Sequence, residues 1–151
     1  MINMSAGVTS ANYIYRKVVT IPQADVQIMD FNNPYTLINT ANNFIVQPIA
    51  LYLYIINQTI PYTGFVHLHI TNNGVFGIGG ILGTLSENAT AAGLSNATGE
   101  YYNMLINFQT SPNRFGSQGD SKPLDIAFDT APTAGDGDMV VTLLYLIQDL
   151  F

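Results

Sequence analysis

The sequence predicts an all-β fold in a single domain, residues 1–151, and three observations carry that expectation. Wherever the chain is not turning, apolar residues alternate with period two, and no segment keeps a 3.6-residue apolar stripe over three turns. Clusters of Gly, Pro, Asn and Asp break the chain at short intervals. A chain of 151 residues can also bury roughly two-thirds of the surface its unfolded form exposes, enough for one core without a staple.

In chain order, residues 1–15, opening MINMSAGVTSANY, are small and polar and are read as an N-terminal arm that orders on a neighbour. Tyr13, Tyr15, Arg16 and Lys17 are its candidate docking residues. Strands are expected over 13–21, 26–31 and 35–38, with FNNPY at 31–35 and TANN at 40–43 as turns. The next strand, IALYLYII at 49–56, has two apolar faces: Ile49, Leu51, Leu53 and Ile55 on one side, Ala50, Tyr52, Tyr54 and Ile56 on the other. After IPYTG at 60–64, the segment GFVHLHIT places Val66, Leu68 and Ile70 on one face and Phe65, His67, His69 and Thr71 on the opposite one.

Residues 72–100 are rich in Gly, Asn and Ala and read as one long loop, with a short helix starting at Ser86. A strand follows at 101–109, then a turn-rich stretch at 111–123. PLDIAFD turns Leu124, Ile126 and Phe128 inward and Asp125, Ala127 and Asp129 outward, a half-buried pattern. The closing segment MVVTLLYLI is again apolar on both sides: Met139, Val141, Leu143, Tyr145 and Ile147 against Val140, Thr142, Leu144 and Leu146. About eight strands at this spacing suggest a two-sheet antiparallel sandwich of jelly-roll type.

An antiparallel strand ordinarily keeps one face wet, so the two-faced strands call for a cover from outside the chain. Composition agrees: 9% of residues are charged and 48% hydrophobic, against a usual charged share of about 25%. Tyr52, Tyr54, Leu144, Tyr145 and Leu146 are therefore candidates for an interface between copies, tyrosine being suited to it by its large ring and hydroxyl. A net charge of −6, with Lys and Arg only at 16, 17, 114 and 122, offers no stripe for a nucleic-acid backbone. The longest unbroken apolar run, 49–56, is short of the ~20 residues of a membrane helix, and the N-terminus lacks a signal-peptide pattern.

Catalytic signatures are absent. There is no cysteine, no G-x-S-x-G elbow, and the spacing of GIGGILG at 77–83 fits neither phosphate-loop pattern. The glutamates, Glu87 and Glu100, form no acid pair by spacing. Sequons at Asn57, Asn88 and Asn96 are ordinary in an Asn- and Thr-rich chain. His67 and His69, the only histidines, share one strand face and could hold Zn²⁺ or Cu²⁺ if a third ligand arrived from a neighbouring strand. The reading adopted is a polar pair, with no metal and no cofactor assigned. Gly135-Asp136-Gly137-Asp138 has no Glu downstream to complete a calcium loop and reads as a turn that launches the last strand.

The order of these features, from VTIPQADVQIMDFNNPYTLINTANNFIVQPIALYLYII at 19–56 through the Tyr62-Thr63-Gly64 turn to SKPLDIAFDTAPTAGDGDMVVTLLYLI at 121–147, resembles the small jelly-roll virion proteins of tailed bacteriophages. In those, an N-x-P-L strand precedes P-T-x-G-D-G and a closing V-x-V-x-Y strand. The similarity covers both ends and not the middle, and Ser121-Lys122-Pro123-Leu124 departs from the usual Asn. The resemblance implies a non-enzymatic structural component of a virion assembled in the host cytoplasm. It would be a head decoration, head fibre or tail-associated protein, commonly trimeric, with other capsid or tail proteins as partners. The alternatives are a carbohydrate- or receptor-binding module on the same sandwich, presenting Tyr62, Tyr101 and Tyr102 to surface glycans, or a cupin-like metal enzyme using His67 and His69.

Overall fold

A computed structural model describes residues 13–39, 44–65, 67–71, 81–86, 102–105 and 123–149. The described chain runs β1 (Ile14–Ile21), α1 (Gln23–Ile28), β2 (Tyr35–Ile38), β3 (Phe44–Ile56), β4 (His67–Thr71), β5 (Ile81–Ser86), β6 (Tyr102–Leu105), β7 (Leu124–Phe128) and β8 (Asp138–Asp149). Among the described residues the protein is all-β apart from this one short helix. Its strands make two four-stranded antiparallel sheets, in the orders β1-β8-β3-β6 and β2-β7-β4-β5. Among the described strands, β4 and β5 are the only sequence neighbours that pair; all other successive strands belong to opposite sheets.

Side chains from both sheets meet in one core. From the first come Leu51, Leu53, Ile55, Met139, Val141 and Leu143; from the second come Leu68, Ile70, Leu124, Ile126 and Phe128. The long β3–β8 ladder opposes Leu51 to Leu143, Leu53 to Val141 and Ile55 to Met139, so each inward row is apolar across the sheet. A register shift between Pro48 and Ala50 accommodates the proline, which has no N–H to give the ladder. Tyr62 and Phe65 fill the core from the connection between β3 and β4, the Phe65 ring lying 4.5 Å from that of Phe128.

Three expectations are corrected. Residues 26–31 are not a strand: Gln23–Ile28 is a helix. Val26 and Met29, three apart, are buried, whereas Ile28 is 58% exposed, which is the helical spacing. Over three residues Val26-Gln27-Ile28 mimics alternation, and only packing against the core separates the two periods. The FNNPY turn that follows is present, its Asp30 carboxylate accepting the N–H groups of Asn32 and Asn33.

The second correction lies inside the expected 72–100 loop, which contains β5 at Ile81–Ser86. Its glycines hide the strand pattern, but β4 supplies a backbone partner, with Gly83 opposite Ile70 and a register shift beside it. The helix expected from Ser86, the TANN turn and most of the 111–123 turn lie outside the described residues.

Third, β7 is buried on both faces, and so is β4 from Leu68 to Thr71. His69, Thr71, Asp125 and Ala127, expected to face water, are all buried. Asp125 is tolerated there because its carboxylate accepts the Thr36 hydroxyl at 2.7 Å. Burial nonetheless raises its pKa, the Thr36 hydrogen bond opposing.

Candidate functional site

The Gly135–Asp138 stretch is settled by its hydrogen bonds. Asp136 accepts the N–H of Thr59 at 2.6 Å, the N–H of Ile60 at 2.7 Å and the Thr59 hydroxyl, while its own N–H donates to the Ile60 carbonyl. The Ile60 N–H, then the Thr59 hydroxyl and N–H, hold its carboxyl below the ordinary Asp value. Asp138 accepts the Gln23 N–H at the start of α1. Gly135 and Gly137 have φ of 129° and 92°, which a side chain would strain. The Tyr62 hydroxyl donates to the Gly137 carbonyl at 2.5 Å. Burial, then the charges of Asp136 and Asp138, push that phenol up to about 12. The stretch is a clasp tying the turn after β3 to the start of β8, and neither aspartate joins a metal-ligating group among the described residues.

The second site is a surface. On the outer face of the β1-β8-β3-β6 sheet, β8 contributes Val140, Thr142, Leu144 and Leu146, all half-buried. Beside them β1 sets Thr20, Val18, Arg16 and Ile14; on the other flank β3 sets Tyr54, Tyr52 and Ala50. Ile14 is 65%, Val18 50% and Tyr52 37% exposed. A row of Leu, Val, Ile and Tyr carrying one arginine is an unusual face to leave toward water.

Of the candidate interface residues, Tyr52, Tyr54, Leu144 and Leu146 share this face. Tyr145 does not: it packs against the core and stacks on Tyr15, ring centroids 5.5 Å apart. Of the candidate docking residues, Tyr15, Arg16 and Lys17 belong to β1, paired along its length with β8, and Tyr13 directly precedes it. Residues 1–12 of the expected arm lie outside the described residues. Ile14 and Val18 were not legible as surface residues, because their place depends on β1 pairing with a strand more than a hundred residues away.

The third site is a histidine-carboxylate cluster at one end of the other sheet. His67 and His69 lie on the same face of β4, ring centroids 5.4 Å apart. Asp129, just past β7, donates its N–H to the His67 carbonyl and brings Oδ2 to 3.4 Å from His67 Nδ1. Thr130 N–H holds the other oxygen, Oδ1. His69 is buried beside Phe31, ring centroids 5.3 Å apart. Burial, and next His67, lower its pKa, while Asp129 opposes. The three ligand-type atoms lie within 4.8 Å of one another. The histidine pair was visible in the sequence; its carboxylate was not, since β4–β7 pairing alone brings Asp129 to it.

For the glycan alternative, Tyr62 is fully buried and offers no platform, and the side chains of Tyr101 and Tyr102 lie outside the described residues. Comparison with family models, curated proteins and solved structures returns no match for this chain.

Proposed function

We propose that this protein is a non-enzymatic structural component of a tailed-phage virion. It self-associates, as a trimer, through the outer face of the β1-β8-β3-β6 sheet and docks on a capsid or tail lattice as a decoration or fibre component. The observation that carries the proposal is the apolar outer face built by Ile14, Val18, Tyr52, Tyr54, Leu144 and Leu146. Fully burying a Val, Leu or Ile side chain contributes about 1.5–3 kcal/mol, so a handful of them across a symmetric contact can drive association.

The strand orders β1-β8-β3-β6 and β2-β7-β4-β5 support reading the two sheets as a jelly-roll sandwich, since they are what two interleaved Greek keys produce. The phage assignment rests on the resemblance of residues 19–71 and 121–147 to small virion proteins. The clasp around Asp136 supports a structural role for P-T-x-G-D-G.

Light scattering on the purified chain at tens of micromolar is expected to give three chain masses, and Leu144→Asp combined with Val18→Asp a folded monomer. Peptides of the chain are expected in virus particles purified from the source culture. A monomeric wild type whose peptides are absent from such particles would sink the proposal.

A further inference from the structure

We propose that His67, His69 and Asp129 form a binding site for a divalent transition metal, with Zn²⁺ the best-matched ion. The proposal is independent of the virion assignment. The chain's only two histidines stand on one strand face, and a third strand-end residue brings a carboxylate to them, which makes a His₂-carboxylate set.

The spacing fits a shared ion better than a closed ion pair. A charge-assisted N–H···O bond closes to about 2.7–2.9 Å, whereas His67 Nδ1 and Asp129 Oδ2 stand 3.4 Å apart. Donors each about 2.0–2.2 Å from one tetrahedral ion lie roughly 3–4 Å from each other. The His67–Asp129 separation is already of that size, and no pair of ligand atoms in the cluster is more than 4.8 Å apart.

The supporting groups act in the same sense. Thr130 N–H occupies Asp129 Oδ1 and turns Oδ2 toward the histidines. The Asp129 N–H bond to the His67 carbonyl fixes how far the carboxylate sits from β4. The Phe31 ring packs against His69, centroids 5.3 Å apart, restricting the imidazole as outer-shell contacts do at metal sites. The His67 and Asp129 side chains are 38% and 20% exposed, which gives an ion a way in and leaves a fourth position for water. Zn²⁺ prefers such nitrogen and carboxylate donors, whereas Ca²⁺ and Mg²⁺ require oxygen sets. A bound ion would tie the start of β4 to the segment leaving β7 and stabilise the folded chain by mass action.

The test uses the untagged full-length chain, stripped with chelator and dialysed, then titrated with Co²⁺ and with Zn²⁺. One Co²⁺ per chain is expected, with visible d–d absorption abolished by equimolar Zn²⁺ and a rise in thermal midpoint with either ion. Imidazole NMR signals of both histidines should move or broaden together. His67→Ala, at a half-exposed position, and Asp129→Asn are each expected to weaken Co²⁺ binding on the order of 100-fold, while Asp25→Asn leaves it unchanged. Absence of saturable 1:1 binding overturns the proposal, as does binding that survives both ligand substitutions. Because the NMR readout is made on the unsubstituted chain, a variant that fails to fold does not decide the outcome.

Discussion

Asp136 and Asp125 are carboxylates placed in opposite circumstances, and acid should separate them. Donors from Thr59 and Ile60 lower the folded-state pKa of Asp136. Its contribution to stability is therefore complete above the unfolded value and is lost as pH falls through the folded one, from about pH 5 downward. Burial raises the folded-state pKa of Asp125. Its ionised form costs stability at neutral pH, and protonation relieves that cost as pH falls through the raised value. Thermal midpoints measured from neutral pH down into the carboxylate range are expected to fall less steeply in Asp136→Asn than in wild type. Asp125→Asn keeps an oxygen for the Thr36 hydroxyl and should raise the midpoint at pH 7; a lowered midpoint would contradict the account. At this scale the sequence was partly legible. Gly-Asp-Gly announced a turn through its φ requirement, but the donors that engage Asp136 come from Thr59 and Ile60, brought there only by folding.

At the scale of elements, α1 shows how a short segment escapes a periodicity argument. It is anchored by Val26 and, just past its end, by the C-cap Met29, and its six residues are too few for a stripe to repeat. Truncating Met29 to Ala should cost about 2–5 kcal/mol, as for other buried large side chains, while Ile28→Ala should lie within ~0.5 kcal/mol of wild type. Urea unfolding of the two variants checks this, and a reversed order would restore the strand reading of 26–31. Strands β3 and β8 were readable because each is long and apolar on the core face. Strand β5 was not, because Gly83 and its neighbouring glycines carry no facial signal and its conformation is imposed by pairing with β4.

The whole molecule is held together by remote pairings, Ile14 with Leu146 and Tyr35 with Ile126 among them. Few of its strand contacts can form before distant parts of the chain meet, so loop closure has to precede most of the stabilising contacts. Folding is expected in milliseconds to seconds, as for other proteins dominated by non-local strand pairing. Stopped-flow refolding of the chain at high dilution checks this, and a microsecond phase accounting for the full amplitude would contradict it. By itself the sequence determined the all-β class, the strands that alternate or run apolar, and the need for glycine on both sides of Asp136, because these follow from spacing, φ preference and hydrophobicity within a few residues. Tertiary structure decided which strands are neighbours. From that followed the helix at Gln23–Ile28, the apolar face shared by β1, β8 and β3, the burial of His69 and Asp125, and the meeting of Asp129 with two histidines. Those depend on register between segments far apart in the chain, and no local pattern encodes that register.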